Sequence, residues 1–162
     1  MKIRTGFGYD VHAFAYNRKL ILGGIEIPFE KGLLGHSDAD VLLHAICDAL
    51  LGALALGDIG LHFPDNDPEY KNIDSKILLF KVNELIEDKN FSISNIDSTV
   101  VMERPKLKTF IPQIRNSISE ILKINFDQVS VKATTSEKMG FVGIEEGVKA
   151  YATVLLMENM GD

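Results

Sequence analysis

Residues 37–57 read SDADVLLHAICDALLGALALG, a run of Ala, Leu, Ile and Val in which Asp40, His44 and Asp48 recur at every fourth position. This pattern predicts a helix with Ser37 as its cap, Asp40 at the third position and an end near Leu56, where Gly57 suits a left-handed residue. A rod that is apolar on most sides belongs in a core. Its polar line then either meets partners or forms the one solvent face, and spacing alone leaves the two equally open. An unpaired buried imidazole is costly, so His44 calls for a partner. Asp48 is a candidate to orient it, although Asp40 and Asp48 could themselves be ligands.

Working outward, residues 2–9 alternate as a strand, and residues 19–27 form two short apolar runs broken by Gly23-Gly24, a hairpin-like signal. On the other side, Asp58 to Pro68 is an irregular loop with three aspartates. Helices are expected over 74–88 and 108–123, the latter with Pro112 near its first turn, and strands over 95–102, 129–133 and 146–158. Strands and helices mixed in this order indicate an α+β fold, a small mixed sheet with helices mainly on one face. The 162 residues, 46% of them hydrophobic, fit a single domain spanning 1–162.

The net charge of −6 disfavours nucleic acid or anionic membrane as a partner, since both are bound through excess Lys and Arg. If phosphate is handled, the positive charge must be local, from a metal ion or a few placed lysines. Cys47 is the only cysteine, so a disulfide or a multi-cysteine zinc site within the chain is excluded. The N-terminal strand pattern starts at once and no apolar run reaches roughly 20 residues, so a soluble, cytoplasmic protein is expected.

Asp10 and His12 stand two apart in the first strand, which puts both side chains on one face. Carboxylate and imidazole suit zinc or a similar cation, and His44 is the best third ligand. Gly35-His36-Ser37-Asp38-Ala39-Asp40 places a His, a hydroxyl and backbone N–H groups where a helix begins, which favours an anion or is simply a cap. Lys132 to Lys138 concentrates three hydroxyls, Glu137 and two amines where a strand opens into a loop; these suit phosphate oxygens and a hard cation, or a polar turn. Lys106 and Lys108 add local charge. Phosphate-loop, dinucleotide and Gly-x-Ser-x-Gly signatures are absent.

Taken jointly, Asp10-Val11-His12, Ser37-Asp38-Ala39-Asp40-Val41 through His44 and Asp48, Gly57-Asp58-Ile59-Gly60, Phe63-Pro64-Asp65 and Thr134-Thr135-Ser136-Glu137-Lys138 resemble the 2-C-methyl-D-erythritol 2,4-cyclodiphosphate synthase family. The blocks occur in family order over nearly the whole chain. The resemblance implies a phosphorus-oxygen lyase of non-mevalonate isoprenoid biosynthesis. It converts 4-diphosphocytidyl-2-C-methyl-D-erythritol 2-phosphate to the cyclic diphosphate and CMP by intramolecular phosphoryl transfer.

It further implies zinc on Asp10, His12 and His44, and magnesium or manganese on Glu137. His36, Thr135 and Asp65 would be the catalytic side chains. Ser37, Asp58, Ile59 and Gly60 would hold the methylerythritol part, Met102, Lys106, Leu107, Lys108, Ala133 and Thr134 the cytidyl diphosphate side, and Phe141 would be a further substrate contact. The implied fold is a four-stranded mixed sheet in a homotrimer with active sites between subunits. Many relatives carry an Arg that holds a prenyl diphosphate where this chain has Ile144, so the resemblance does not extend to that site. Two rivals remain: a zinc-dependent phosphoester hydrolase, and a trimeric metal- or metabolite-binding protein without turnover.

Overall fold

A computed structural model describes residues 1–160. Its centre is α1 (Val41–Ala53), ten of whose thirteen residues are buried. Leu42, Leu43, Ile46, Leu50 and Leu51 are fully enclosed, each contributing about 1.5–3 kcal/mol through burial. Packing therefore holds this helix in place far more than propensity does.

The helix lies on a five-stranded sheet formed by β1 (Ile3–Ala15), β4 (Gly32–Leu33), β5 (Phe91–Val101), β6 (Val129–Thr134) and β7 (Gly147–Glu158). The order is β4-β1-β7-β5-β6, with β5 and β6 parallel and the other neighbours antiparallel. The expected mixed sheet with helices on one face is present. It has a fifth strand because Gly32–Leu33 adds to the end of β1, opposite Phe14 and Ala15. β2 (Leu20–Leu22) and β3 (Ile25–Ile27) form the separate hairpin signalled by Gly23-Gly24. α3 (Ser75–Asp88) and α4 (Ile111–Leu122) complete the helical layer, and the short α2 (Ile59–His62) and α5 (Gly140–Gly143) sit in loops.

Along β1 the even residues face α1. Two of them are glycines for a steric reason: a Cβ on Gly6 would lie 1.8 Å from the Ala49 carbonyl oxygen, and one on Gly8 would lie 1.9 Å from that of Ala45. Strand and helix backbones thus touch directly. The odd residues Ile3, Phe7, Tyr9 and Val11 face outward and are 40–63% exposed, with Tyr9 and Phe7 beside Tyr151 of β7. β7 alternates in the same sense, burying Val148, Ala150, Ala152, Val154 and Leu156.

Both ends of α1 differ from expectation. Asp40, not Ser37, is the cap: its Oδ1 accepts from Leu43 N at 3.0 Å, while Ser37 Oγ serves a tighter turn by accepting from Ala39 N. At the other end the helix stops at Ala53, and Leu56 N reaches back to Leu51 O (3.0 Å) with Ala55 at φ +55°. This is the reverse-turn cap that glycine normally supplies, here built on alanine. β1 also runs on to Ala15, and β5 starts at Phe91 with a bulge between Ile93 and Asn95 that breaks its alternation. Among the described residues no helix is long and apolar enough to cross a membrane.

The backbone contact predicts opposite outcomes for two glycines. Gly8→Ala should destabilise the protein by about 3 kcal/mol, the upper range for overpacking. Gly52→Ala, whose added Cβ meets nothing nearer than Phe7 O at 4.0 Å, should be neutral or stabilise by up to about 1 kcal/mol. Urea unfolding of both variants checks this, and equal midpoints would contradict the assigned contact.

Candidate metal centre and adjoining cavities

Beyond Gly6 and Gly8, the next even positions of β1 are Asp10 and His12, and the helix residue above them is His44. Asp10 Oδ2 lies 3.0 Å from His12 Nε2 and 3.1 Å from His44 Nδ1, and the two nitrogens are 3.3 Å apart. Among the described residues these three form the one group that could hold a metal ion. A tetrahedral ion with bonds of about 2.0–2.1 Å needs ligand atoms about 3.3 Å apart, which these edges match closely.

The tautomer of His12 supports the same reading. Its Nδ1 is 2.8 Å from the Leu34 carbonyl oxygen, which can only accept, so Nδ1 carries the proton and Nε2 presents a lone pair to the cluster. Burial raises the cost of a charged Asp10, but hydrogen bonds and positive charge from His12 and His44 outweigh it and lower its carboxyl to about 2. Burial likewise works against a charged His12, and the bond to Asp10 reverses this, raising its pKa. The donor set fits a divalent cation.

The triad opens on a cavity of about 240 Å³, also lined by His36, Ser37, Ile59, Gly60 and Asp65. Phe63 and Tyr70, packed edge to face at 5.4 Å, form part of its wall. Asp58 caps α2 through Leu61 N (2.9 Å) and so sets the turn that presents Ile59 and Gly60. His36 is positioned through its own carbonyl, which accepts from Asn72 N at 2.7 Å.

The expectation for Asp48 fails. Its Oδ1 accepts from Ile59 N at 2.7 Å, tying α1 to the cavity loop, and it does not orient His44. That imidazole turns its Nε2 to Ser75 Oγ (2.9 Å) and Ser37 Oγ (3.2 Å) instead. Asp40 is no ligand either: both its oxygens are taken by Leu43 N, Gly23 N and Gly24 N. All three members of the polar line thus have partners inside the protein. Ser75 and the Leu34 carbonyl were not legible in the sequence, since a serine at a helix start reads as a cap and a carbonyl has no residue signature.

A second cavity, of about 350 Å³, lies at the carboxyl end of the parallel β5–β6 pair. Met102, Lys106, Leu107, Lys108, Ala133, Thr134 and Thr135 line it, and Met102 N donates to Thr134 O at 3.0 Å. This is the end of a parallel pair where ligands bind in open α/β sheets. Glu137, at φ +53°, accepts from Thr135 Oγ1 at 2.9 Å and is not among the donors that converge with Asp10. Phe141 lies against Gly147 and beneath Lys149, 5.0 Å from its amine. Within one chain, the residues expected to form a single site therefore fall into two separate groups.

Residues 3–157 match the model of the YgbB family. The chain belongs to this family. A Bacteroides fragilis protein named 2-C-methyl-D-erythritol 2,4-cyclodiphosphate synthase is 62% identical over 156 residues, covering 96% of this chain and 98% of that protein. A Fusobacterium nucleatum protein of the same name is 59% identical over 154 residues, covering 95% and 96%. Among solved structures, a CDP complex of IspF from Plasmodium falciparum superposes with a TM-score of 0.87 at 37% identity, covering 98% of this chain and 97% of that one. The bifunctional IspDF of Campylobacter jejuni superposes at 0.92 with 43% identity; this chain is covered to 96% and spans 42% of that longer protein.

Equilibrium dialysis against zinc gives a direct check of the metal centre. His44→Ala should weaken binding by more than about 100-fold, beyond what partners outside the coordination sphere contribute. Asp48→Asn should leave it within about threefold. The reverse order would show that the wrong carboxylate–imidazole set had been identified.

Proposed function

We propose that the chain is a single-domain cytoplasmic 2-C-methyl-D-erythritol 2,4-cyclodiphosphate synthase, a phosphorus-oxygen lyase of isoprenoid biosynthesis. One observation carries this reading: the tetrahedrally spaced triad opens into the same small cavity as His36, Ser37, Gly60 and Asp65, in a family whose relatives bear that name. The substrate would be 4-diphosphocytidyl-2-C-methyl-D-erythritol 2-phosphate. An oxygen of its 2-phosphate attacks the β-phosphorus, the bond from that phosphorus to the oxygen bridging the CMP phosphate breaks, and CMP leaves. No covalent enzyme intermediate is required.

Positioning and charge neutralisation dominate such a transfer. Zinc on Asp10, His12 and His44, with magnesium or manganese on Glu137, would neutralise the two phosphates and hold them together. His36 and Ser37 donate to the substrate's phosphorylated part, and Gly60 lets its backbone approach the methylerythritol hydroxyls. Lys106 and Lys108 give the second cavity the local positive charge that a net charge of −6 otherwise denies an anionic nucleotide. Thr134 and Thr135 add hydroxyl donors at its floor. The CDP complex of the Plasmodium falciparum relative supports a cytidine nucleotide as ligand.

Because the two groups of residues lie apart in one chain, we place the complete site between subunits of a homotrimer. The exposed row of Ile3, Phe7, Tyr9 and Val11 supplies a surface suited to burial between copies, since contiguous exposed apolar patches mark contact sites.

Phosphorus NMR of the protein with the cytidyl substrate should show CMP and the cyclic diphosphate forming with zinc and magnesium present, and neither after chelation. Inorganic phosphate without CMP would indicate a hydrolase, and no turnover in the metal-replete sample would defeat the assignment. Light scattering should give a mass about three times 18.0 kDa. Tyr9→Asp should lower that mass and the turnover together; a monomeric wild type would remove the shared-site arrangement.

A further inference from the structure

His44 faces two ways. Its Nδ1 looks into the triad and its Nε2 looks out, toward Ser75 Oγ at 2.9 Å and Ser37 Oγ at 3.2 Å. A neutral imidazole has one proton, and which nitrogen carries it decides whether a lone pair is available to a metal. Asp10 Oδ2, 3.1 Å from Nδ1, would by itself draw that proton to Nδ1 and block the ligand atom. Something on the outer side has to hold it at Nε2.

We propose that Asp38 and Ser75 act as a positioning pair that fixes His44 with its proton on Nε2, leaving the Nδ1 lone pair aimed at the cation. This rests on the reading of Asp10, His12 and His44 as a metal centre. Ser75 Oγ donates to Asp38 Oδ1 in a very short hydrogen bond. A hydroxyl has a single proton, and once it is given to a carboxylate the oxygen can only accept from other groups. Nε2 must therefore be the donor across the 2.9 Å contact.

Asp38 is itself immobilised. Its Oδ2 accepts from Ser75 N (3.0 Å) and its Oδ1 from Asp40 N (3.1 Å), so the carboxylate is bound from both the start of α3 and the start of α1. Ser75 is fully buried, which removes water as a competing partner for its hydroxyl. Ser37 Oγ, which accepts from Ala39 N, is available as a second, longer acceptor for the same Nε2–H. The arrangement complements that of His12, where the Leu34 carbonyl holds the proton on Nδ1 and frees Nε2. Two histidines thus present opposite nitrogens to one point, each because a different acceptor holds its other proton. Such outer partners typically change metal affinity by about 10- to 100-fold.

The test measures the metal-free full-length protein by nitrogen-15 NMR of its histidines at mildly alkaline pH, where free imidazole is neutral. In the wild type, His44 should be protonated at Nε2. Ser75→Ala should move the proton to Nδ1 and weaken zinc binding, measured by chelator competition, by about 10- to 100-fold. Asp38→Asn, whose amide can donate to Ser75 and turn the hydroxyl proton toward His44, should do the same, while Ser75→Thr should restore both signals. Retention of Nε2–H by His44 in both Ser75→Ala and Asp38→Asn, or zinc affinity within about twofold of wild type in both, would overturn the proposal. A wild type that keeps Nε2–H yet binds no zinc would confirm the hydrogen-bond assignment and count against the metal reading alone.

Discussion

The contact on which the molecule depends is that between two backbones. With no Cβ at Gly6 or Gly8, α1 settles on β1 until helix carbonyls reach the space those side chains would have filled. That closeness is what lets His44, whose side chain is short, reach Asp10 and His12 on the strand below at about 3 Å. A helix held off by even one methyl layer would leave the three donors too far apart to share an ion. The apolar burial of α1 supplies the stability, and the glycines supply the distance.

Much of this was legible in the sequence because it rests on local periodicity. The alternation of Asp10 and His12 puts them on one face, and the mid-helix position of His44 among Leu and Ala marks it as buried and in need of partners. The helices over 75–88 and 111–122 and the last strand likewise follow from their patterns. The missed features arise where tertiary structure overrides local signals. Ser37 looks like a cap and is not one, because Ala39 takes a left-handed turn at φ +58° and hands that role to Asp40. Ala55 stands where glycine is the usual signal, and the bulge in β5 shifts its period partway along.

The roles of the polar residues on α1 were the hardest to read. Three aspartates near His44 compete for the same description, and nothing in their spacing separates the one that caps a helix from the one that anchors a loop. Asp40 and Asp48 are equally near by helical spacing, yet one caps the helix and the other turns to Ile59; Asp38, six residues before His44, reaches it through a serine 37 positions further along. Only packing of α3 against α1 brings that serine in. The division of the expected site into two cavities is similarly invisible to a one-dimensional reading, which has no means of telling a residue on the same chain from one contributed by a neighbour.

Asp40 joins parts of the chain that are far apart in sequence. Its buried carboxylate accepts from Gly23 N, Gly24 N and Leu43 N, so it closes residues 24–39 into a loop with both ends fastened at one point. That loop contains the Leu34 carbonyl that holds His12, together with His36 and Ser37. Local opening has an energetic scale of its own, below that of global unfolding, and follows cooperative units. Arg18, donating to the Leu33 and Ser37 carbonyls, and the β2–β3 and β1–β4 pairings hold the middle of this segment, and Asp40 alone ties its two ends together. Loss of that carboxylate would loosen the segment that holds His12 through the Leu34 carbonyl and lines the cavity, while β1, β7, β5, β6 and the core of α1 stayed intact.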